Sequence, residues 1–342
     1  MTDNLYEPEQ GRHPAVSIVI PARNEGRRIV QCLQALSRQS LDRGQYEVIV
    51  VDDGSDDDTA DVAIRNGARV IRQQNKGPAA ARNRGIEEAR GEIVLFTDAD
   101  CIPDEHWAGR LSKPLFQPTI QGTVGRILSR QSNWIAGWVQ LELEERYSRM
   151  GQQERIDFLN TGNCGFKRAV LSQSRFDESL RWAEDLELSF RLAQAGNRMV
   201  FVQDALVEHA HPENLSSYML RKFRYASCAP RIYRRHPNKL LSDSRTPANL
   251  RWQLLLIGLS LAWLPATLLS YKALLFSLGC FAGWLALTFP ICRRAAGKST
   301  ALGMAAPFFV LMGNLAFLAG TAWGVAAKPG FSFRGVDSGR RM

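Results

Sequence analysis

The chain has 342 residues, enough for one large α/β domain plus a smaller region, and a net charge of +9. Nine of its basic residues fall between Tyr218 and Arg251 against one acid, Asp243, just before three uncharged stretches; that neighbourhood favours anionic headgroups and argues against nucleic acid as the partner. The six cysteines at 32, 101, 164, 228, 280 and 292 show no CxxC spacing, which excludes a disulfide framework and fits reduced thiols.

The first fifteen residues are polar and lack a basic-then-apolar signal pattern, so the following domain is expected in the cytoplasm. From residue 16 to 120 strands and helices alternate. "VSIVI" (Val16–Ile20) reads as a strand and is followed by a helix with Ile29, Leu33 and Leu36 on one face. "YEVIVV" (Tyr46–Val51) is a second strand, before an acidic helix start in "DDGSDDDT". "ARVIRQ" (Ala68–Gln73) leads into the alanine-rich helix Pro78–Ala89, and "EIVLF" from Glu92 is the fourth strand. Single helices between strands imply right-handed crossovers and a mostly parallel sheet, with ligands beyond the carboxyl ends of the strands. Asn24 and Glu25, Asp52 and Asp53, Asn75 and Lys76, Asp98 and Asp100 all fall there.

The stretch 121–212 is less regular. "TVGRIL" reads as a strand, Trp134–Arg149 as a helix, and Glu184–Gly196 as a helix with Leu186, Phe190 and Ala193 on one face. "RMVFV" and "ALVEH" read as two closing strands. Residues 213–250 form a basic segment whose start, Asn214 to about Arg235, reads as an amphipathic helix on a membrane, with Pro230 breaking or kinking it. Residues 251–327 hold about three expected spans: Trp252–Tyr271, Ala273–Cys292 and Ser299–Ala327. Three spans keep Arg293, Arg294 and Lys298 cytoplasmic, but send the polar tail 328–342, with Lys328, Arg334, Arg340 and Arg341, outside.

"EIVLFTDADCIP" ends a buried strand with two carboxylates one residue apart. Like charges so placed repel unless a cation intervenes. Mg²⁺ takes one or two carboxylates and leaves its other positions to water and phosphate. On its own, "DAD" reads better as a solvated turn with an Asx cap.

Four motifs in order, "PARNE", "VVDDGSDDDT", "NKGPAAARNRG" and "FTDADCIP", resemble the nucleotide-binding half of family 2 of the inverting glycosyltransferases, which have the GT-A fold. "TGNCGFKRAVL" with "WAEDLELSFRLAQAG" resembles the family's acceptor half, and "VQDALVEHAHPENL" its closing segment. The resemblance runs from about Ser17 to Pro237. It implies an α/β GT-A domain, 16–120 binding the nucleotide sugar and 121–212 the acceptor, followed by a helical membrane region. Pro21, Ala22 and Glu25 would shape the base and ribose pocket. Asp52 and Asp53 would include the carboxylate that reads the base, most often uracil. Lys76 and Arg82 would lie near phosphates or ribose, although alone they read as solvated charges. Asp98 would touch ribose and metal, and Asp100 would be the main ligand of Mg²⁺ or Mn²⁺. His209 would be a further ligand, with His211 as its alternative.

Glu184 and Asp185 open a helix, where the macrodipole favours acids. The resemblance implies that Asp185 is instead the general base. Glu184, Asn163 and Arg224 are candidate contacts to the acceptor or a phosphate. Processive synthases of the family carry Gln-x-x-Arg-Trp, where this chain has "RKFRY" (Arg221–Tyr225). That departure, together with only three late spans, favours transfer of one sugar to a lipid or lipid-linked acceptor at the inner membrane, and the resemblance implies a UDP-sugar donor and a role in cell-envelope biosynthesis. The alternatives are a processive synthase and a catalytically silent sugar-nucleotide-binding scaffold. The intact Asp98, Asp100 and Asp185 argue against silence, and the lack of GxGxxG after the first strand argues against a dehydrogenase.

Overall fold

The structure, a computed structural model, describes residues 14–327; the expected polar tails, up to residue 13 and over 328–342, lie outside the described residues. The chain divides into two compact units. The first runs to Glu178 and adds Glu184–Leu215 and Asn238–Ala248; the second takes Ser179–Ala183, Ser216–Pro237 and everything from Asn249.

In the first unit the chain runs β1 (Val16–Ala22), α1 (Gly26–Ser37), β2 (Tyr46–Asp53), α2 (Thr59–Arg65), β3 (Arg69–Gln73), α3 (Pro78–Glu88) and β4 (Ile93–Thr97). It continues with β5 (Cys101–Pro103), α4 (Trp107–Ser112), β6 (Gly122–Ser129), α5 (Trp134–Met150), β7 (Asn163–Lys167), α6 (Arg168–Gln173), α7 (Glu184–Gln194) and β8 (Met199–His209). One eight-stranded sheet has the order β3-β2-β1-β4-β7-β6-β8-β5. β3, β2, β1 and β4 are parallel neighbours, as the alternation of strand and helix requires. Their carboxyl ends therefore share one edge.

The sheet has a core on each side, set by the two-residue period of the strands. Ile18 and Ile20 face the α1 stripe of Ile29, Leu33 and Leu36, together with Trp107 and Leu111 of α4. Val19, Ile49, Val94 and Phe96 face the other way, against Ile86 of α3, Phe166 of β7 and Leu188 of α7. Each fully buried large apolar side chain contributes roughly 1.5–3 kcal/mol.

The sheet is mixed. β7 is antiparallel to both β4 and β6, and β5 is antiparallel to β8. β7, "NCGFK", has neither alternation nor β-branched residues, and β5 is three residues long. Neither carries a local strand signal, so neither is foreseen from sequence. The two expected closing strands are one, β8, which pairs with β6 across a register shift between Val124 and Arg126. The irregularity absorbs the break in pattern at Gln203 and Asp204 without ending the strand.

The second unit contains α8 (Leu215–Arg235, its first residue still in the first unit), α9 (Leu250–Trp263), α10 (Tyr271–Lys298) and α11 (Thr300–Ala326). α8 runs on through Pro230 instead of breaking there. Its buried residues are Tyr218, Ala226, Ala229 and Ile232. It lies against α11 at Gly320 and Gly324, where an added Cβ would come 2.3 and 2.1 Å from backbone carbonyls of α8.

Three full spans were expected, and the described residues contain two helices long and apolar enough to cross a membrane, α10 and α11. Trp252–Tyr271 instead forms α9, 14 residues or about 21 Å of helix, then a 3₁₀ turn at Pro265–Leu268. Proline has no amide to continue the α-helical ladder, and the remaining length falls short of a hydrocarbon core of about 30 Å. Polar side chains tie these helices together. Asn249 and Gln253 donate to the Leu287 carbonyl at 2.9 and 3.2 Å, Asn314 donates to Gln253 at 3.3 Å, and Ser260 meets Ser277 at 3.1 Å.

Candidate active site

The loops after β1 and β2 are laced together before any ligand is considered. Asn24 has a φ of 55° and accepts the Asp56 amide at 2.8 Å, while its own amide donates to Ser55 at 3.0 Å. The Glu25 amide donates to the Thr59 hydroxyl at 2.8 Å, and the Glu25 carboxylate pairs with Arg28 at 3.2 Å. Pro21 and Ala22 stand opposite Val51 and Asp52 in the ladder, on the wall of this edge. Burial works to raise the Asp57 carboxyl, but hydrogen bonds from Thr59 and the Gly26 amide outweigh it and hold the group below its ordinary value.

Asp52 and Asp53 have different tasks. Asp53 accepts from Gln73 at 2.7 Å and from the Lys76 and Gly77 amides at 2.8 Å each, so both its oxygens fix the loop before α3. Gly77, with φ 99°, makes the turn that presents these amides, a conformation most side chains resist. Asp52 accepts from the Ser55 amide and hydroxyl through one oxygen, and the other accepts nothing among the described residues. Of the two carboxylates expected to include a base reader, Asp53 is engaged at both oxygens and Asp52 at one. The Lys76 side chain is exposed on the loop that Asp53 pins.

Arg82, which alone reads as a solvated charge, is buried. It is 4% exposed, and its guanidinium donates to Glu184 at 2.7 Å and to Asp98 at 2.9 Å. Asp98, Glu184 and Asp185 together hold the guanidinium firmly charged despite its burial. Burial above all, opposed by Arg82 and reinforced by Asp185 and Asp98, raises the Glu184 carboxyl to about 7. Arg82, Asp98, Glu184 and Asp185 are therefore one electrostatic cluster, joining the turn after β4 to the start of α7. Asp185 is buried, and one of its oxygens accepts the Leu186 amide at 2.8 Å. Ala183, just before α7, has a φ of 60°, a strained value for a non-glycine residue. Gly162 makes room for Asp98: a Cβ there would lie 3.1 Å from its carboxylate.

Asp100 points to a second group. Its carboxylate lies 3.5 Å from His209, and the Asp100, Cys101 and His209 donor atoms all lie within 4.8 Å of one another. A carboxylate, an imidazole and a thiol suit a divalent cation. Asp98 is not in this set and faces Arg82. His211, the alternative to His209, is 4% exposed and bonds Gln140 at 3.2 Å, with its amide on Gln131.

Two further candidates are elsewhere engaged. Asn163 is fully buried, accepting from the Trp107 indole at 2.8 Å and donating to the Arg126 and Ala205 carbonyls at 2.9 and 3.0 Å. These bonds tie β7 to α4, β6 and β8. Arg224, in the second unit, stacks 5.1 Å from the Trp182 ring. In sequence Cys101 reads only as one of six scattered reduced thiols. The signal missed is that the residue after an Asp-x-Asp turn starts a strand whose partner carries a histidine.

A strand edge carrying this acidic cluster beside a donor set for a divalent cation is the architecture of a GT-A transferase. The family described as "Glycosyl transferase family 2" matches residues 17–179. Glycosyltransferase AglE of Haloferax volcanii is 30% identical over 219 residues, covering 61% of this chain and 70% of that protein. The pre-mycofactocin glycosyltransferase of Mycobacterium tuberculosis is 30% identical over 283 residues, covering 77% of this chain but 57% of that protein, so the chain spans little more than half of it. Among solved structures, the mannosyltransferase PcManGT from Pyrobaculum calidifontis, in complex with GDP-Man and Mn²⁺, shares the fold with a TM-score of 0.62 at 21% identity, covering 93% of this chain and 89% of that one. The chain belongs to family 2 of the glycosyltransferases.

Proposed function

We propose that this protein transfers one sugar from a nucleotide sugar, a UDP-sugar, to a lipid or lipid-linked acceptor with inversion, as a step in building cell-envelope glycolipid or polysaccharide. α10 and α11 anchor it in the cytoplasmic membrane, with the α/β domain on the cytoplasmic side. The observation that carries the reading is the buried Arg82, which holds Asp98 and Glu184 in one cluster with Asp185. It supports a single centre in which the donor-side turn and the acceptor-side helix act together.

Pro21, Ala22 and Glu25 wall the nucleoside, Asp52 accepts from the base, and Lys76 offers its ammonium to the diphosphate. Asp98, held by Arg82, borders the ribose. Asp100 and His209 would hold a divalent cation, Mg²⁺ or Mn²⁺, which when bound offsets charge on the departing diphosphate. PcManGT, solved with GDP-Man and Mn²⁺, supports both the donor class and the cation. Asp185 takes the proton of the acceptor hydroxyl as its oxygen bonds to the anomeric carbon. The bond from that carbon to the diphosphate breaks, and the nucleoside diphosphate leaves with the electron pair. One displacement inverts the centre, as in single-step glycoside chemistry. The "RKFRY" segment in place of Gln-x-x-Arg-Trp supports a single transfer over polymerisation.

The test is a panel of UDP- and GDP-sugars offered to the full chain in lipid, with Asp185→Asn alongside. The variant should bind donor as the wild type does and lose roughly 10²- to 10⁴-fold in transfer. Retained turnover removes Asp185 as base, and turnover confined to GDP-sugars removes the uracil assignment.

A further inference from the structure

Cys101 occupies a chemically significant position. In the β5–β8 ladder it stands directly opposite His209, and residues so paired project from the same face of the sheet. Asp100 immediately precedes it. The Asp100 oxygen, the Cys101 sulfur and a His209 nitrogen lie within 4.8 Å of one another, and Asp100 Oδ2 is 3.5 Å from His209 Nε2. Two oxygen or nitrogen donors about 2.0–2.1 Å from a tetrahedral cation stand roughly 3.3 Å apart. The observed separation needs little adjustment. Sulfur, with a longer bond of about 2.3 Å, supplies a third corner and leaves the fourth open.

We infer that Cys101 is a cation ligand, so that Asp100, Cys101 and His209 form a mixed oxygen, sulfur and nitrogen site that binds Zn²⁺ and Co²⁺ through sulfur. This rests on the proposed cation site at Asp100 and His209 and adds to it the sulfur and the selectivity that follows. Mg²⁺ and Mn²⁺ prefer oxygen and gain little from a thiol, whereas Zn²⁺ and Co²⁺ gain a bond. The sulfur binds as thiolate, and its proton passes to the buffer as the cation arrives. Thiophilic cations thus compete with Mg²⁺ or Mn²⁺ for the same carboxylate and imidazole and outlast them. A cysteine serving only as core filler would give none of this.

The experiment titrates the full chain in lipid nanodiscs with Co²⁺ alone and records the absorption spectrum. The expected result is a near-ultraviolet sulfur-to-cobalt charge-transfer band that Cys101→Ser abolishes. The same variant should weaken Co²⁺ and Zn²⁺ binding by about tenfold or more, as damage to a ligand shell does, and leave Mn²⁺ binding unchanged. Cobalt bound without the band, or a band that survives in Cys101→Ser and so comes from another cysteine, overturns the inference while leaving the oxygen and nitrogen site standing. No bound cobalt at all overturns both. If Cys101→Ser does not fold, Cys101→Ala takes its place: loss of the cobalt band supports the inference, and a surviving band rejects it.

Discussion

Replacing Glu184 with glutamine tests the buried cluster most directly. Glu184 is 7% exposed, and its carboxyl is raised from an ordinary 4.5 to about 7. A raised carboxyl binds its proton more tightly folded than unfolded. Its contribution to stability is therefore fully present below 4.5 and is lost as pH climbs through about 7. At about 1.36 kcal/mol per pH unit the whole effect is roughly 3 kcal/mol, most of it falling between pH 5 and 8. The glutamine amide cannot ionise, yet it keeps an oxygen for Arg82. Thermal unfolding of both proteins in lipid across that range should show the wild type losing stability relative to Glu184→Gln as pH rises. Parallel curves would mean that Glu184 titrates as an ordinary surface acid, and the argument for a dry cluster would fail.

Asn163→Ala should leave the Trp107 indole and two carbonyls without partners and cost about 1–3 kcal/mol for each buried group stranded, seen as a lowered melting temperature rather than a changed KM. Asp53→Ala frees the Lys76 and Gly77 amides, so amide exchange should quicken in that loop and donor affinity should fall; unchanged protection there would remove Asp53 as its anchor.

Parts of the fold were legible because their signals are local. The runs at Val16, Tyr46, Arg69 and Ile93 are β-branched and bounded by turns, and the Ile29, Leu33, Leu36 stripe repeats with the helical period. The parallel half of the sheet follows from that alternation. β7 was not legible, since its strand character comes from bonding to β4 and β6 on either side and not from its own residues. Asn163 shows the same limit: its motif context suggested a ligand contact, while its contacts make it a clamp. α9 failed for a different reason, because counting uncharged residues ignores what Pro265 does to the amide ladder.

Sequence by itself determined which acids collect at one edge of the sheet, because residues that end parallel strands must lie together. It also determined the uncharged stretches after Arg251, two of which fold as helices long and apolar enough to cross a membrane. Only the tertiary structure divided the labour among the charged groups. Arg82 sits 102 residues from Glu184 along the chain, and nothing in either local pattern says that they meet. That contact buries the arginine and ties one oxygen of Asp98 to it, while Asp100 lies beside His209 and Cys101. A charge's role depends on which opposite charge reaches it first in a dry interior, and chain folding over long sequence separations decides that.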